Sequence, residues 1–437
     1  MFLLIILGII CFSFQILVVS KVEPIWESMA DPMDYHYQSN KELWSIDFFS
    51  PVPNYFFSPR PFTTSLFLKF VDNDYYKMIL FQKLLYCICV FMFSIIFISN
   101  LNTYFTKIVS FYLLLFFFSW YNIVGWTNNV LSEPNSNSLL FLWLGFLILF
   151  VRRNNWGVTL LFCLISVLFS FTRDSWPYII IITVFVITVY NFFKNKLDLK
   201  KSLFVFIFSI TLFFVQSKTA EIGQRYKLPV FNSIVGRISK SDEYLKWFES
   251  KGMPMSNIIK EDFKNVDVDN KNQRSIIYAK YRDSTYLPLM SWALKEGKST
   301  YQLFLLTHPS YFFLSDQTKN EQSRIFCYNF YDYFKPNLKD TDLSHSTFPL
   351  WNFPTTILLV IILLILSIYL KNILYSFPIL IAILFFINAL IIYNADTMEV
   401  NRHLYITQII IQFLNIVCFS LLLNVFTNLI KRKIYGI

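Results

Sequence analysis

Two carboxylates stand close together in the first polar stretch of the chain, WESMADPMDYHYQSN. If a helix begins at Pro32, Asp31 and Asp34 lie one turn apart on the same face. A carboxylate there can take the proton from a hydroxyl group as its oxygen attacks, and such general base catalysis contributes about 10²–10⁴-fold in rate. The alternative is structural: Asp31 is the N-cap, Pro32 takes the first helical position, and Asp34 lies near the positive helix end.

An arginine follows in SPRPFTTSLF and a glutamate in NNVLSEPNSN. Arg60 can bind a phosphate group through charge-assisted hydrogen bonds, or it can anchor the chain at lipid head groups. Ser132 and Glu133 precede Pro134 at the start of an apolar run, where they can cap a helix. Glu133 can equally contact a substrate or an arginine, because a carboxylate at the mouth of a helical bundle is costly unless it faces water or a partner.

The segment FTRDSWPY places Arg173 and Asp174 between two apolar runs. Adjacent residues do not face each other on one helix, so these two charges need other partners. In a structural interpretation, Arg173 extends towards the aqueous interface, and Asp174 or Ser175 caps the next helix. In a functional interpretation, Arg173 pairs with Glu133 or with a phosphate.

The densest polar cluster is ADTMEVNRHLYIT, just before the last apolar run. Glu399 lies three residues before Arg402 and four before His403, so on a helix the carboxylate can orient either cation. A fixed arginine beside a histidine suits a phosphate leaving group, because donors already in position stabilise the charge that develops on its oxygens. The alternative is a charged collar around a helix end. His308, in FLLTHPSYFF, is either structural or part of a surface that binds an acceptor.

Long apolar blocks must position these residues. Of the 437 residues, 55% are hydrophobic and 20% are aromatic, which is too apolar for a soluble domain of this length. Blocks such as FLLIILGIICFSFQILVV are near the ~20 residues that a helix needs to cross a bilayer. We therefore predict an all-α, polytopic membrane protein with about ten spans. The spans lie roughly at 2–20, 78–98, 108–126, 137–151, 156–172, 177–193, 202–216, 352–370, 373–393 and 406–428.

The basic residues indicate how the spans are oriented. Short loops that contain several lysines and arginines alternate with short loops that hold at most one, as cytoplasmic loops alternate with outer loops. The basic loops contain Lys107, Arg152, Arg153, Lys194, Lys196, Lys200, Lys201, Lys371, Lys431, Arg432 and Lys433. This pattern predicts a plasma-membrane protein with both termini in the cytoplasm. All the candidate residues above then lie on the outer side.

Three parts follow from this orientation. Residues 1–216 form an N-terminal transmembrane module whose first outer loop is 21–77. Residues 217–351 form a mostly helical extracytoplasmic domain, long enough for a small hydrophobic core, and residues 352–437 form the C-terminal transmembrane helices. The first apolar run lacks the basic start and the cleavage site typical of a signal peptide, so we interpret it as a retained helix.

The charge and the cysteines argue against several classes of protein. The net charge of +10 does not indicate nucleic-acid binding, because the basic residues are scattered in short loops and form no stripe with interleaved aromatics. Five of the six cysteines lie in apolar runs, so no disulfide framework is available. No CxxC or other metal-ligand spacing occurs in the sequence.

Several of these segments resemble the GT-C type membrane glycosyltransferases, helical enzymes that use polyprenyl-phosphate sugars and that include the protein O-mannosyltransferases. The resemblance covers ADPMDYHYQS, SPRPFTTSLF, LSEPNSNSLLFL, FTRDSWPY and EVNRHLY. GRISKSDEYLKWFESKGMP and THPSY look similar to a bacterial branch of hexose transferases. The resemblance implies a GT-C-like bundle that transfers a hexose with inversion, at the outer face, from a polyprenyl-phosphate donor to a cell-surface glycan, lipid or protein.

The resemblance also implies roles for individual residues. Asp31 is the best match for the general base and Asp34 the second, while Arg402, His403 and Arg60 would hold the donor phosphate. The substrate site would further include Glu133, Arg173, Asp174, Glu399, Tyr35 and His308, of which Tyr35 can hydrogen-bond to or stack on a sugar ring. The resemblance is compatible with a divalent cation, Mg²⁺ or Mn²⁺, as cofactor. The remaining partners would be the membrane lipids.

Two other functions are compatible with the sequence. An outer-face glycan polymerase or ligase, acting on lipid-linked oligosaccharides, also uses a large outer segment with arginines and histidines. The donor distinguishes it from the first function, since it takes a pyrophosphate-linked oligomer in place of a sugar monophosphate. A transporter or lipid flippase requires ionisable residues inside the spans, and Lys83, near the second span, is the main one.

Overall fold

The computed structural model describes residues 6–8, 10, 30–43, 45–50, 59–119, 121–153, 155–194, 199–264, 266, 280, 283–309, 311, 353–370, 373–395 and 400–435. Four predicted features fall wholly or mostly outside these residues: the first span at 2–20, Glu399, the stretch 312–351, and the side chains of Asp31, Arg402 and His403.

Within the described ranges the regular structure is helical and contains no strand. The helices up to the polar middle segment are α1 (Ala30–Ser39), α2 (Phe62–Phe70), α3 (Tyr75–Ser99), α4 (Tyr104–Phe118), α5 (Ser132–Arg152), α6 (Trp156–Ser170), α7 (Trp176–Lys194) and α8 (Leu199–Ile222). They are followed by α9 (Lys227–Gly236), α10 (Asp242–Ser250), α11 (Asn257–Lys264), α12 (Leu287–Trp292), a π-helical turn (Ala293–Gly297), α13 (Lys298–Thr307), α14 (Phe353–Leu370), α15 (Phe377–Ala395) and α16 (Val400–Tyr435).

Five of the described helices are long and apolar enough to cross a membrane, and they mark the chain as a membrane protein. These segments are Tyr75–Ser99, Ser132–Arg152, Trp176–Phe193, Leu199–Ile222 and Ile409–Lys431. Shorter apolar helices are Tyr104–Phe118, Trp156–Ser170, Ile357–Ser367 and Phe377–Ile392. α4 ends at Phe118, eight residues before the end of the predicted span at 108–126, and the chain turns there. The Ser119 hydroxyl donates to the carbonyl of Leu115 at this turn, 2.7 Å away.

Local side chains set where several helices begin. The Asp74 carboxylate accepts hydrogen bonds from the backbone N–H groups of Tyr76 and Lys77, at 2.8 and 3.1 Å, and so caps α3. Just before it, Asp72 and Asn73 adopt positive φ angles of 59° and 60°, which allow the chain to turn sharply from α2 into α3. Capping and turn residues thus connect the polar N-terminal segment rigidly to the first long helix.

The helix bundle is packed mainly through aromatic side chains. The rings of Phe93, Phe118, Phe141 and Phe413 meet at centroid distances of 4.7–6.3 Å and join α3, α4, α5 and α16. Gly145 lets α5 approach α3 closely: a Cβ atom at this position would lie 3.2 Å from Ile96 Cδ1. Small residues commonly permit such close packing between membrane helices.

The helices alternate in direction, which gives the bundle two different ends. The starts of α3, α5 and α7 lie at the same end as the ends of α6 and α8, and α1 and α2 pack there. We call this the α1 end. The opposite end, which we call the basic end, contains the end of α3, the starts of α4, α6 and α8, and the end of α5.

A second hydrophobic core is built entirely from residues between 230 and 311. It contains Phe231, Phe248, Phe263, Tyr286 and Phe304, contributed by or next to helices α9 to α13. These residues are separate in sequence and in packing from the core of the bundle. The polar middle segment therefore has its own hydrophobic core within the described residues.

Candidate functional site

The first part of the candidate site is held together by a buried glutamine on α1. The Gln38 amide donates to the carbonyl oxygens of Phe48 and Arg60, at 3.1 and 3.0 Å. Its own oxygen accepts a 2.8 Å hydrogen bond from the Ser65 hydroxyl on α2. One side chain therefore fixes the backbone of Arg60 between α1 and α2.

A lysine just after α1 binds two carbonyl groups of the loop that follows. The Lys41 ammonium donates to the carbonyl oxygens of Asp47 and Ser50, at 2.7 and 3.1 Å. Burial lowers the pKa of Lys41, and the Asp47 carboxylate opposes this effect. The loop is thereby closed around the short helical turn Ile46–Phe48, whose last carbonyl contacts Gln38.

Asp34 and Arg60 form an ion pair at the α1 end. The Arg60 Nε group donates to Asp34 Oδ2 at 3.3 Å, with the carboxylate largely buried and the arginine side chain 29% exposed. α1 begins at Ala30, two residues earlier than expected, so Asp31 lies inside the first turn of the helix and does not occupy the N-cap position. Proline is compatible with this position because the N–H groups of a first helical turn have no partners within the helix. Asp31 precedes Asp34 by one turn, or about 4.5 Å along the helix axis.

Glu133 and Arg173 form a second pair, closer to the bundle core. The Arg173 Nη2 atom lies 3.7 Å from Glu133 Oε1, and the Glu133 side chain is 0% exposed. The expected capping role of Ser132 and Glu133 is wrong, because α5 begins at Ser132 itself and Leu131 takes the cap position without a side-chain hydrogen bond. The Ser132 hydroxyl donates instead to Glu133 Oε2 at 3.3 Å.

The first turn of α2 brings these two pairs to the same place. The Thr63 N–H group donates to the carbonyl of Phe171 at 3.1 Å, two residues before Arg173. The Asn135 amide, two residues after Glu133, donates to the Thr64 hydroxyl at 3.1 Å. Arg60 precedes this turn directly. Segments more than 100 residues apart in sequence therefore converge at the α1 end.

Asp174 has a separate partner at this end. Arg225, just after α8, donates to both carboxylate oxygens of Asp174 at 2.9–3.1 Å, and the Gln216 amide donates at 2.8 Å. The guanidinium group is buried while Asp174 is 45% exposed. Asp174 therefore connects the start of α7 to the end of α8.

Two other predicted residues lie within hydrophobic packing. Tyr35 is 2% exposed and belongs to a small cluster at the α1 end with Leu68, Met78, Ile79 and Val130. His308 lies at the edge of the second core and is half-buried: its ring stacks on Phe304 at 4.5 Å, and its Nδ1 atom lies 2.9 Å from the Thr307 hydroxyl. Its described contacts remain within that core.

Lys83 is a buried charged residue that the sequence did not assign to the candidate site. It lies in the third turn of α3, is 9% exposed, and has no acidic partner among the described residues. Its neighbour Gln82 is fully buried and donates to the Leu131 carbonyl at 3.3 Å, just before α5. The sequence signal for both is the pair of polar letters QK inside an apolar run.

The remaining candidates are only partly described. Arg402 and His403 fall in the first turn of α16, without described side chains, and Glu399 lies outside the described residues. In the part of the chain that the structure describes, no three histidine, cysteine or acidic side chains are grouped so that they could hold a metal ion.

The arrangement can hold anionic and hydroxyl-bearing groups. Two arginines of the α1 end, Arg60 and Arg173, are already oriented by carboxylates, and oriented guanidinium groups bind phosphate oxygens well. Asp31 lies in the same helix as Asp34. Neither the known protein-family models nor the curated proteins include a match to this sequence.

Proposed function

We propose that this protein is a membrane glycosyltransferase that moves a hexose from a polyprenyl-phosphate donor to a cell-surface acceptor. It acts at the outer face of the plasma membrane, in a bundle of about ten spans in which both termini are cytoplasmic. Residues 217–351 form its mostly helical outer domain, under which the acceptor docks. The convergence of the Asp34–Arg60 and Glu133–Arg173 pairs at one end of an apolar bundle carries this proposal.

In the proposed reaction, the Asp31 carboxylate removes the proton of an acceptor hydroxyl. The hydroxyl oxygen then attacks C1 of the sugar, the bond from C1 to the phosphate oxygen breaks, and polyprenyl phosphate leaves with its electron pair. A single displacement inverts the configuration at C1. Asp34 is the second candidate for the base, although its carboxylate is already bound to Arg60.

The cations of the site stabilise the leaving phosphate in this proposal. Arg60 is partly exposed beside α1, so its guanidinium group is accessible to a lipid phosphate at the membrane surface. Arg402 and His403 act with it from the start of α16. The buried Glu133–Arg173 pair and the Asp174–Arg225 pair keep the surrounding helix ends in place.

Transfer of radiolabelled hexose by the purified protein in detergent tests the proposal. The donors are synthetic polyprenyl-phosphate hexoses, the acceptors are crude cell-surface material, and the variant is Asp31→Asn. We expect the variant to insert and fold like the wild type but to lose transfer almost completely, by about 10²-fold or more. Asp72→Asn is the matched control, since Asp72 is an exposed carboxylate in a left-handed turn that asparagine also tolerates.

Each other result has a defined meaning. Transfer retained by Asp31→Asn contradicts the choice of base, and loss in Asp34→Asn alone assigns that role to Asp34. Transfer only from pyrophosphate-linked oligosaccharides would identify a polymerase or ligase. No transfer from any donor by the wild type would contradict the proposal as a whole.

A further inference from the structure

Three buried side-chain amides lie at the α1 end, on elements that pack against one another. Gln82 is on α3, Asn128 ends the short helical turn Gly125–Asn128, and Asn135 is in the first turn of α5. Their exposed fractions are 0%, 1% and 0%. α3 packs against both the short turn and α5, so the three amides belong to one region of the bundle.

Two of the amides meet at a single carbonyl. The Gln82 and Asn135 amide nitrogens both donate to the Leu131 oxygen, at 3.3 and 3.4 Å, and Asn135 also donates to Thr64. Because a carbonyl accepts and cannot donate, these bonds fix which atom of each amide is the nitrogen. The oxygens, Gln82 Oε1 and Asn135 Oδ1, are therefore left as acceptors.

Several atoms of these amides have no partner. Gln82 Oε1, Asn135 Oδ1 and both amide atoms of Asn128 are buried and make no hydrogen bond to any described residue. Buried polar atoms are almost always hydrogen-bonded in folded proteins, because an unpaired buried group loses its interaction with water without compensation. The unpartnered amide atoms on α3, α5 and the short turn before α5 are therefore available for hydrogen bonds to a polar ligand.

The chemistry of the atoms selects the ligand. Three acceptor oxygens and one donor nitrogen match a neutral group that carries several hydroxyls, since each hydroxyl can donate to an amide oxygen and also accept. A phosphate offers only acceptors and suits Arg60 and Arg173 instead. Asn135 and Glu133 both lie in the first turn of α5, so the amides and the ion pairs belong to the same end of the bundle.

We propose that Gln82, Asn128 and Asn135 bind the hydroxyl groups of a sugar. The identification of this sugar as the hexose of the lipid donor rests on the proposed function, whereas binding of a hexose at these amides does not. The amide oxygens accept from the sugar hydroxyls and the Asn128 nitrogen donates to one of them. These residues then position the sugar and select its stereochemistry, while the arginines hold its phosphate.

Binding of octyl hexosides to the intact chain tests this site. The probes are octyl glucoside, mannoside and galactoside, added to protein in a detergent without a sugar head group, and the readout is the shift of the thermal unfolding midpoint with probe concentration. The variant is Asn128→Leu, which is close in size and removes an amide whose atoms have no described partner. We expect its dissociation constant for the preferred hexoside to rise about tenfold or more.

The matched control is Asn415→Leu in the middle of α16. Asn415 is also 1% exposed, and both of its amide atoms lack a hydrogen bond to described residues. It lies about 18 Å along the helix from Thr427, which is at the basic end. Both variants should raise the unfolding midpoint of the free protein, because each removes a buried unpaired amide. Only Asn128→Leu should weaken hexoside binding.

The possible results separate this site from the transferase proposal. Equal hexoside binding by the wild type and Asn128→Leu, equal weakening in both variants, or no binding by the wild type would overturn the site. If Asn128→Leu fails to fold, Asn128→Ala takes its place with the same expectations. Hexoside binding that depends on Asn128, in a protein without transfer activity, would keep the sugar site and reject the transferase.

Discussion

The two ends of the bundle differ in the described contacts that their charged side chains make. At the α1 end three ion pairs are partly or fully buried: Asp34–Arg60, Glu133–Arg173 and Asp174–Arg225. At the basic end, two of the described contacts join a cation to a neutral group. Arg152 donates to the Asn100 side chain, and the Lys201 ammonium lies 5.3 Å from the Trp156 ring centroid.

This difference indicates which end of the bundle needs charged side chains in fixed orientations. Burying two opposite charges seldom adds stability over apolar residues of the same size, because desolvation offsets most of their attraction. Three such pairs at one end are therefore better explained by a need for oriented charges than by a need for stability. The cations of the basic end fit the proposed orientation, in which this end faces the cytoplasm.

The largest expected effect concerns the sidedness of the two ends. We predict that Lys77→Cys, at the α1 end, reacts with a membrane-impermeant maleimide in intact cells, and that Arg153→Cys reacts only after lysis. Lys77 and Arg153 are both exposed, so neither reaction is limited by burial. The background carries Cys11→Ser and Cys327→Ser, because the other four cysteines are buried. The background alone controls for residual labelling.

The labelling experiment can also contradict the assignment of the two ends to opposite sides of the membrane. Reaction of both variants in intact cells would remove the assignment of the two ends to opposite sides. Reaction of Arg153→Cys alone would invert the orientation and place the candidate site in the cytoplasm. The second result contradicts the outer-face reaction, whereas the first contradicts only the cytoplasmic position of the basic end. The contacts at the α1 end would be unaffected by either result.

The next effect concerns the buried pair at the α1 end. Arg173→Met leaves the Glu133 carboxylate buried without its cation, and we expect a loss of about 3–5 kcal/mol in the free energy of unfolding. The double variant Glu133→Gln with Arg173→Met should recover most of this loss. Chemical unfolding in detergent, followed by circular dichroism, provides the measurement.

An exposed pair at the same end provides the control. The Lys77–Asp72 pair is 3.1 Å long, with side chains 56% and 83% exposed, and Lys77→Met should change stability by less than about 0.5 kcal/mol. If Arg173→Met behaves like Lys77→Met, burial does not distinguish the pairs, and the argument that the α1 end retains costly charges fails.

The sequence predicts the helices much better than their contacts. The predicted span at 78–98 corresponds to α3 and that at 177–193 to α7, because long apolar runs leave few other structures open to the backbone. The interaction of Arg173 with Glu133 was one of two alternatives that the residue types left open. A choice between them requires knowledge of the packing of α5 against the turn after α6.

Other features of the site could not be read from the sequence at all. Gln38 is an ordinary polar residue in a polar stretch, and only the fold shows that it fixes Arg60. The partner of Asp174 lies 51 residues further along the chain, and no local spacing rule connects Asp174 with Arg225. The capping expected of Ser132 was plausible for its residue type, but the helix begins one position earlier than such a cap requires.

A small effect is expected at the neutral contacts of the basic end. The Asn424 oxygen accepts from the Asn102 N–H group at 2.8 Å, and its nitrogen donates to the Tyr375 hydroxyl at 3.3 Å, so Asn424 joins α16 to two neighbouring segments. Asn424→Leu should lower the free energy of unfolding by about 1 kcal/mol, in the range of single hydrogen bonds between membrane helices. The measurement is chemical unfolding in detergent, with hexose transfer assayed on the same preparation. Transfer per folded molecule should not change, because these contacts hold helices together far from the ion pairs. A loss of transfer like that expected for Asp31→Asn would mean that catalysis depends on both ends, and the division between a reactive α1 end and an orienting basic end would have to be abandoned.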